Sequence, residues 1–186
     1  MTAAVLDYNH RPDYRAWLWT LAAVALFVDQ ATKYGVFAWL RLHESVTAIP
    51  NVLYLTHNQL NQGAVFGLGN DHGHLSNYAF AGFSMIAIVF IVLWTRRAEL
   101  RKDRLLMVAL GLILGGAAGN LYDRLVFAGV RDFIWVHIER WGFDFAVFNV
   151  ADSSLVVGAC LLFLHTLLKP AHEPAKPDAL PGAVAV

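Results

Sequence analysis

The sequence predicts an all-α integral membrane protein with four transmembrane helices and a small extracytoplasmic β-sheet and loop region. Three observations predict it. Of 186 residues, 58% are hydrophobic and only 15% are charged, against about 45–50% apolar and about 25% charged in an average soluble domain. Four stretches approach the length of about 20 apolar residues that spans a hydrocarbon core: near Ala16–Leu40, Tyr78–Trp94, Leu105–Val126 and Phe148–Leu168. Basic residues crowd the connections of one side. With 14 Lys+Arg against 14 Asp+Glu, the chain lacks the basic excess that nucleic-acid binding requires. Partners are therefore expected to be lipidic or peptidic. A mean hydropathy of +0.49 leaves too little polar surface to wrap a soluble core. Cys160 is the single cysteine, so no internal disulfide can form.

The first stretch is interrupted by Asp29 and Lys33, one helical turn apart and able to pair on one face. Its rival reading is a cleaved signal, since Ala16–Val28 is a short apolar core after Arg11 and Arg15; no small-x-small site follows, and a retained span is expected. The second stretch carries no charge, and the third is clean until Asp123-Arg124. Arg11, Arg15, Arg96, Arg97, Arg101, Lys102, Arg104, Lys169 and Lys176 fall on one side of these spans, and Arg41, Arg124, Arg131 and Arg140 on the other. Basic residues near span ends stay cytoplasmic, so both termini are predicted inside, and Arg41–Asn77 and Arg124–Val147 outside. Val46–Thr56 reads as a strand or hairpin from its β-branched and aromatic content around Pro50-Asn51, and Phe143–Phe148 as a strand from its period-two alternation. Glycines Gly63, Gly67, Gly69 and Gly73 would let the first outer segment close as a lid. Residues 1–169 read as one four-span domain, and 170–186, with Pro170, Pro174, Pro177 and Pro181, as a disordered cytoplasmic tail.

Ionisable groups within spans are costly and default to function. Asn120, Asp123 and Arg124 share one helical sector at the outer end of the third span, Asp132 follows in VRDFI, and Asn149 and Asp152 stand three apart where the fourth span begins. Asp132 and Asp152 can thus meet at one depth. Two carboxylates without metal ligands suggest shared-proton chemistry, one activating water while the other polarises a carbonyl. Alternatively, Asp123 pairs with Arg124 or Lys33, and Asp152 caps a helix. Ser153 or Ser154 with Lys33 are the residue types of a Ser/Lys peptidase, and the acids together with Lys33 those of a proton relay in a transporter. His72-x-His74 supplies too few ligands for a metal site.

Five motifs in order carry a resemblance. Asp29-x-x-x-Lys33, Asn61-Gln62-Gly63-Ala64-Val65-Phe66, Gly115–Arg124 (GGAAGNLYDR), Gly129–Ile134 (GVRDFI) and Phe148–Ser153 (FNVADS) resemble those of the lipoprotein signal peptidase family, also called signal peptidase II. The resemblance implies an aspartic endopeptidase of the bacterial inner membrane that removes prolipoprotein signal peptides, cutting before the diacylglyceryl-modified cysteine, with its active site at the outer face. It implies no cofactor or metal and no nucleic acid. The implied partners are the prolipoprotein signal peptide with its diacylglyceryl-cysteine and membrane lipid, and the expected state is a monomer. Asp132 and Asp152 match the catalytic pair; Asn61, Asn120, Arg124 and Asn149 match substrate- and dyad-holding residues; Asp29, Lys33 and Asp123 match supporting polar groups. Asn58 competes with Asn61 for one holding role. The chain departs from the pattern at Arg131, where an apolar residue usually precedes the catalytic Asp, and at Ala146, near a common proline.

Overall fold

The computed structural model describes residues 12–63 and 74–168. The tail expected over 170–186, His72 and the lid glycines Gly67, Gly69 and Gly73 lie outside the described residues. Helices α1 (Arg15–Trp39), α2 (His74–Trp94), α3 (Arg104–Phe127) and α4 (Val150–Leu168) account for most of the rest. Of these, α2 from Leu75, α3 and α4 are long and apolar enough to cross a membrane.

Packing singles out α3 as the central helix. Its apolar stretch is 67% buried, against 17% in α2 and in α4, whose exposed Phe83, Ile86, Phe90, Val156 and Phe163 present the apolar surface that lipid would cover. The buried stripe of α1 reads Leu18, Ala22, Ala25, Asp29, Lys33, Val36, the three- and four-residue spacing of one helix face. Asp29 and Lys33 therefore sit where a core residue would. Close approach between α1 and α3 depends on glycine: a Cβ on Gly115 would lie 2.6 Å from the Ala22 carbonyl oxygen, and one on Gly119 2.5 Å from Asp29 Oδ2. Leu18, Leu106, Met107, Leu110, Leu114 and Ile91 form the apolar core beside this seam.

Strands β1 (Ser45–Ile49), β2 (Leu53–Thr56), β3 (Ile134–Ile138) and β4 (Phe143–Asp144) make one antiparallel sheet in chain order. The hairpin expected over Val46–Thr56 is present, with Asn51 at positive φ in its turn. The strand expected over Phe143–Phe148 is shorter. Phe143 and Asp144 form the strand paired with β3, Phe145 donates its N–H to the Val136 carbonyl, and Phe148 makes an isolated bridge to Ile134. Strand β3 was not anticipated, because IWVHI sits half-buried throughout and shows no alternation between a dry and a wet face. Helix α4 starts at Val150, two residues later than the span expected from Phe148, because Phe148 is tied to Ile134 and Asn149 caps the helix. Helix α2 begins at His74, four residues before the expected Tyr78.

Candidate active site

The segment from Val130 to Ile134 is stitched down on both sides. Asn61 and Val130 exchange backbone hydrogen bonds of 2.9 and 2.8 Å, Phe148 accepts from Phe133 and Ile134, and Thr56 donates its N–H to the Phe133 carbonyl at 2.9 Å. Asp132 is thereby held between the β2-side chain segment and the start of α4. It is 9% exposed. Its Oδ2 accepts from Asn61 Nδ2 at 2.9 Å and its Oδ1 from Asn149 Nδ2 at 2.6 Å.

Asp152 arrives from the first turn of α4. Asn149 Oδ1 accepts from the Asp152 N–H at 2.9 Å, and Asp152 Oδ2 accepts from the Asn149 N–H at 3.1 Å. This is a reciprocal cap on the two ends of one turn. The capping reading of Asn149-x-x-Asp152 and the site reading hold together, because Asp152 Oδ1 remains for Asn120 Nδ2 at 2.8 Å. Asn120 and Asn149 are themselves joined at 3.2 Å, so an amide chain connects the two carboxylates. Both acids line one cleft of about 280 Å³ between α2, α3 and α4, with Phe80, Phe83, Ile113 and Leu155 on its apolar walls. A second cavity, about 830 Å³, opens beyond Asp132 along His57–Gln62.

No cation touches Asp132 among the described contacts; its partners are neutral amides. Burial, and next the nearby Asp152 charge, push the Asp132 carboxyl up to about 7. Arg124 lines the same cleft. It donates Nη2 to the Gly63 carbonyl at 3.0 Å and Nη1 to the Asn120 carbonyl at 3.4 Å, while its buried Nε has no partner among the described residues.

Beneath this pair lies a second cluster. Lys33 Nζ meets Asp29 Oδ2 at 2.8 Å and Asp123 Oδ2 at 3.3 Å, and donates to Asn120 Oδ1 at 3.0 Å. Asp123 pairs with Lys33 and with Arg131, at 2.7 Å, not with its sequence neighbour Arg124. Asp29 Oδ1 accepts the Ala151 N–H at 2.8 Å, tying α1 to the start of α4. Two members escaped the sequence reading. Gln30 bridges Asp29, the Gly119 carbonyl and Asp123 through Nε2, and its only available signal was adjacency to Asp29. Asn77, 1% exposed, donates to the Arg124 carbonyl at 3.2 Å. The structure does not join Lys33 to Ser153 or Ser154, whose hydroxyls donate to the Asn149 and Val150 carbonyls. Of the two competing asparagines, Asn61 reaches Asp132, while Asn58 accepts from the Thr56 hydroxyl at 3.3 Å.

A helical membrane fold with two amide-held carboxylates on one cleft defines a membrane peptidase of the aspartic class. The family model for signal peptidase (SPase) II matches residues 21–168, and the chain belongs to that family. The lipoprotein signal peptidase of Coxiella burnetii (strain RSA 493 / Nine Mile phase I) is 40% identical over 159 residues, covering 85% of this chain and 93% of the relative. That of Yersinia pseudotuberculosis (serotype O:1b, strain IP 31758) is 41% identical over 160 residues, covering 86% and 90%. A bacterial membrane enzyme solved by the in meso method at 2.3 Å superposes with a TM-score of 0.76 at 28% identity, covering 91% of this chain and 99% of the other. A second such structure, at 1.9 Å, gives 0.72 at 30% identity, covering 87% and 99%.

Proposed function

We propose that the chain cleaves the signal peptide from bacterial prolipoproteins with Asp132 and Asp152 as its catalytic pair, cutting before the diacylglyceryl-modified cysteine. One observation carries this assignment: both carboxylates face one cleft and are held by neutral amide donors, so that each stays free to change its protonation as the reaction runs. The ionised acid takes a proton from water as it attacks the scissile carbonyl, and the protonated acid gives its proton to the carbonyl oxygen, so that a neutral gem-diol forms. Collapse of the tetrahedral species returns a proton to the leaving amine. Asn61, Asn120 and Asn149 hold the acids in register, and Arg124 lines the same cleft as the cation beside which a substrate carbonyl would lie.

Helix α1 serves as a fourth span in this reading. Its 25 residues extend about 38 Å at about 1.5 Å per residue, and its mid-helix charges, Asp29 and Lys33, are turned inward and paired. Both termini then lie on the cytoplasmic side with the basic connections, and Asp132, Asp152 and the sheet at the outer face of the inner membrane. An enzyme whose substrate is anchored by lipid needs its dyad at that depth, and the apolar walls of the cleft suit a signal helix together with acyl chains. A single polypeptide supplies every group named, which favours a monomer.

The test is a gel-shift assay on a lipidated prolipoprotein in detergent with wild type, Asp132→Asn and Asp152→Asn. Loss of product in both variants, with wild-type elution on size exclusion, is expected. Substantial cleavage by either would remove the pair from the chemistry.

A further inference from the structure

We propose that Arg131 is a positioning residue for Asp132, fixing the catalytic carboxylate through a guanidinium clasp on Asp123 that no apolar residue at its place could make. The inference rests on the assignment of Asp132 to the chemical step. Helix α3 ends at Phe127, and Ala128, at φ 57°, reverses the chain. The returning strand of backbone lays Arg131 back against the last turn. There one carboxylate takes three of its donors: Asp123 Oδ2 accepts the Arg131 main-chain N–H at 3.0 Å and Nε at 3.3 Å, and Oδ1 accepts Nη2 at 2.7 Å. The guanidinium also donates to Gln30 Oε1 at 2.8 Å and is packed 4.2 Å from the centres of the Tyr34 and Phe127 rings. It is 4% exposed. Main chain and side chain of one residue thus grip the same acid, and the next Cα, about 3.8 Å on, is that of Asp132.

Charge balance extends the effect to the second acid. Asp29 and Asp123 are matched by Lys33 and Arg131. Without Arg131, Asp123 keeps Lys33 as its one cation among the described residues, and Lys33 also holds Asn120, whose amide donates to Asp152. Drawing Lys33 toward Asp123 loosens that contact. Loss of Arg131 therefore disturbs Asp132 directly and Asp152 through two intermediaries. A positioning error near 1 Å costs about a hundredfold in the chemical step.

The test uses the full-length chain in detergent with a prolipoprotein substrate. Arg131→Met is expected to lower kcat about a hundredfold with KM within about twofold. Arg131→Lys keeps the charge but loses the fork, and kcat should fall about tenfold. Asp123→Asn combined with Arg131→Met removes both charges and should recover part of the loss of the Met variant. Wild-type kcat in Arg131→Met, or a rise in KM with kcat unchanged, overturns the proposal; if that variant fails to accumulate, wild-type kcat in Arg131→Lys does so. Asp132→Asn measured alongside separates the two ideas, since an active Asp132→Asn sinks the dyad while an inactive one beside a fully active Arg131→Met sinks only the clasp.

Discussion

The protein contains two pairs of acids, one fully buried and one lining the cleft, that differ in what surrounds them. Asp29 and Asp123 are fully buried and matched by Lys33 and Arg131 at 2.7 to 3.3 Å. Asp132 and Asp152 receive amide and backbone N–H donors instead. A cation balances the charge of a buried carboxylate and ties it in place, whereas a neutral amide orients a carboxylate without cancelling its charge. In the proposed mechanism the same residue type serves as mortar in one cluster and as reagent in the other, and Asn120 is the joint between them, accepting from Lys33 and donating to Asp152.

The contrast is broken most directly by neutralising each pair in turn. Asp132→Asn and Asp152→Asn should each reduce cleavage by about a thousandfold or more while thermal unfolding in detergent stays cooperative. Lys33→Met should do the reverse in kind. It leaves Asp29 buried with no cation of its own, a cost of about 3–5 kcal/mol, and the measured result should be a collapse in the yield of folded protein. If Lys33→Met folds normally and Asp132→Asn does not, the division of labour is inverted.

The proton held by Asp132 gives a second lever. Its carboxyl is raised from 3.8 to about 7 in the folded protein, so the native state binds more protons than the unfolded chain between those values. Its contribution to stability is greatest in acid, declines as pH rises toward 7, and is flat beyond; a gap of about three units corresponds to about 4 kcal/mol. Asp132→Asn should therefore gain stability over wild type at pH 8 and little at pH 4, read as the difference in unfolding temperature. Cleavage by wild type should fall as pH rises through about 7, when the shared proton is lost. Activity that climbs steadily into alkali would contradict this.

Smaller effects sharpen the role of the joint. Asn120→Ala and Asn149→Ala remove hydrogen bonds to a carboxylate worth about 1.5–3 kcal/mol each, a fall in kcat/KM of about ten- to a hundredfold, with product still detectable. Smallest of all, Ala128 occupies a left-handed helix end, and Ala128→Gly should relieve about 1 kcal/mol of strain, visible as a higher unfolding temperature and unchanged kcat.

Legibility in the sequence followed spacing. Asp29-x-x-x-Lys33 and Asn149-x-x-Asp152 are local to one helical turn, so their contacts were readable from residue numbers alone. The hairpin was readable from its turn and β-branched flanks. Contacts that cross between elements were not: Gln30 meets Asp123 at a separation of 93 residues, and Arg131 meets Asp123 only because α3 ends in a reversal. Arg131 was conspicuous in the sequence as a charge where an apolar residue is usual, but its partner became visible only in three dimensions. β3 went unread for a related reason, since its pairing with β2 supplies the order that its own side-chain pattern does not.

The stitching of Val130–Ile134 also governs timing during synthesis. Asn61 leaves the ribosome 71 residues ahead of Asp132, and Asn149 follows it by 17. A chain cut short before Phe148 would hold Asp132 by Asn61 and the β2 side alone, without Asn149 and without Asp152. In the proposed mechanism, cleavage therefore becomes possible only once the last helix has been made, and every shorter chain is inert.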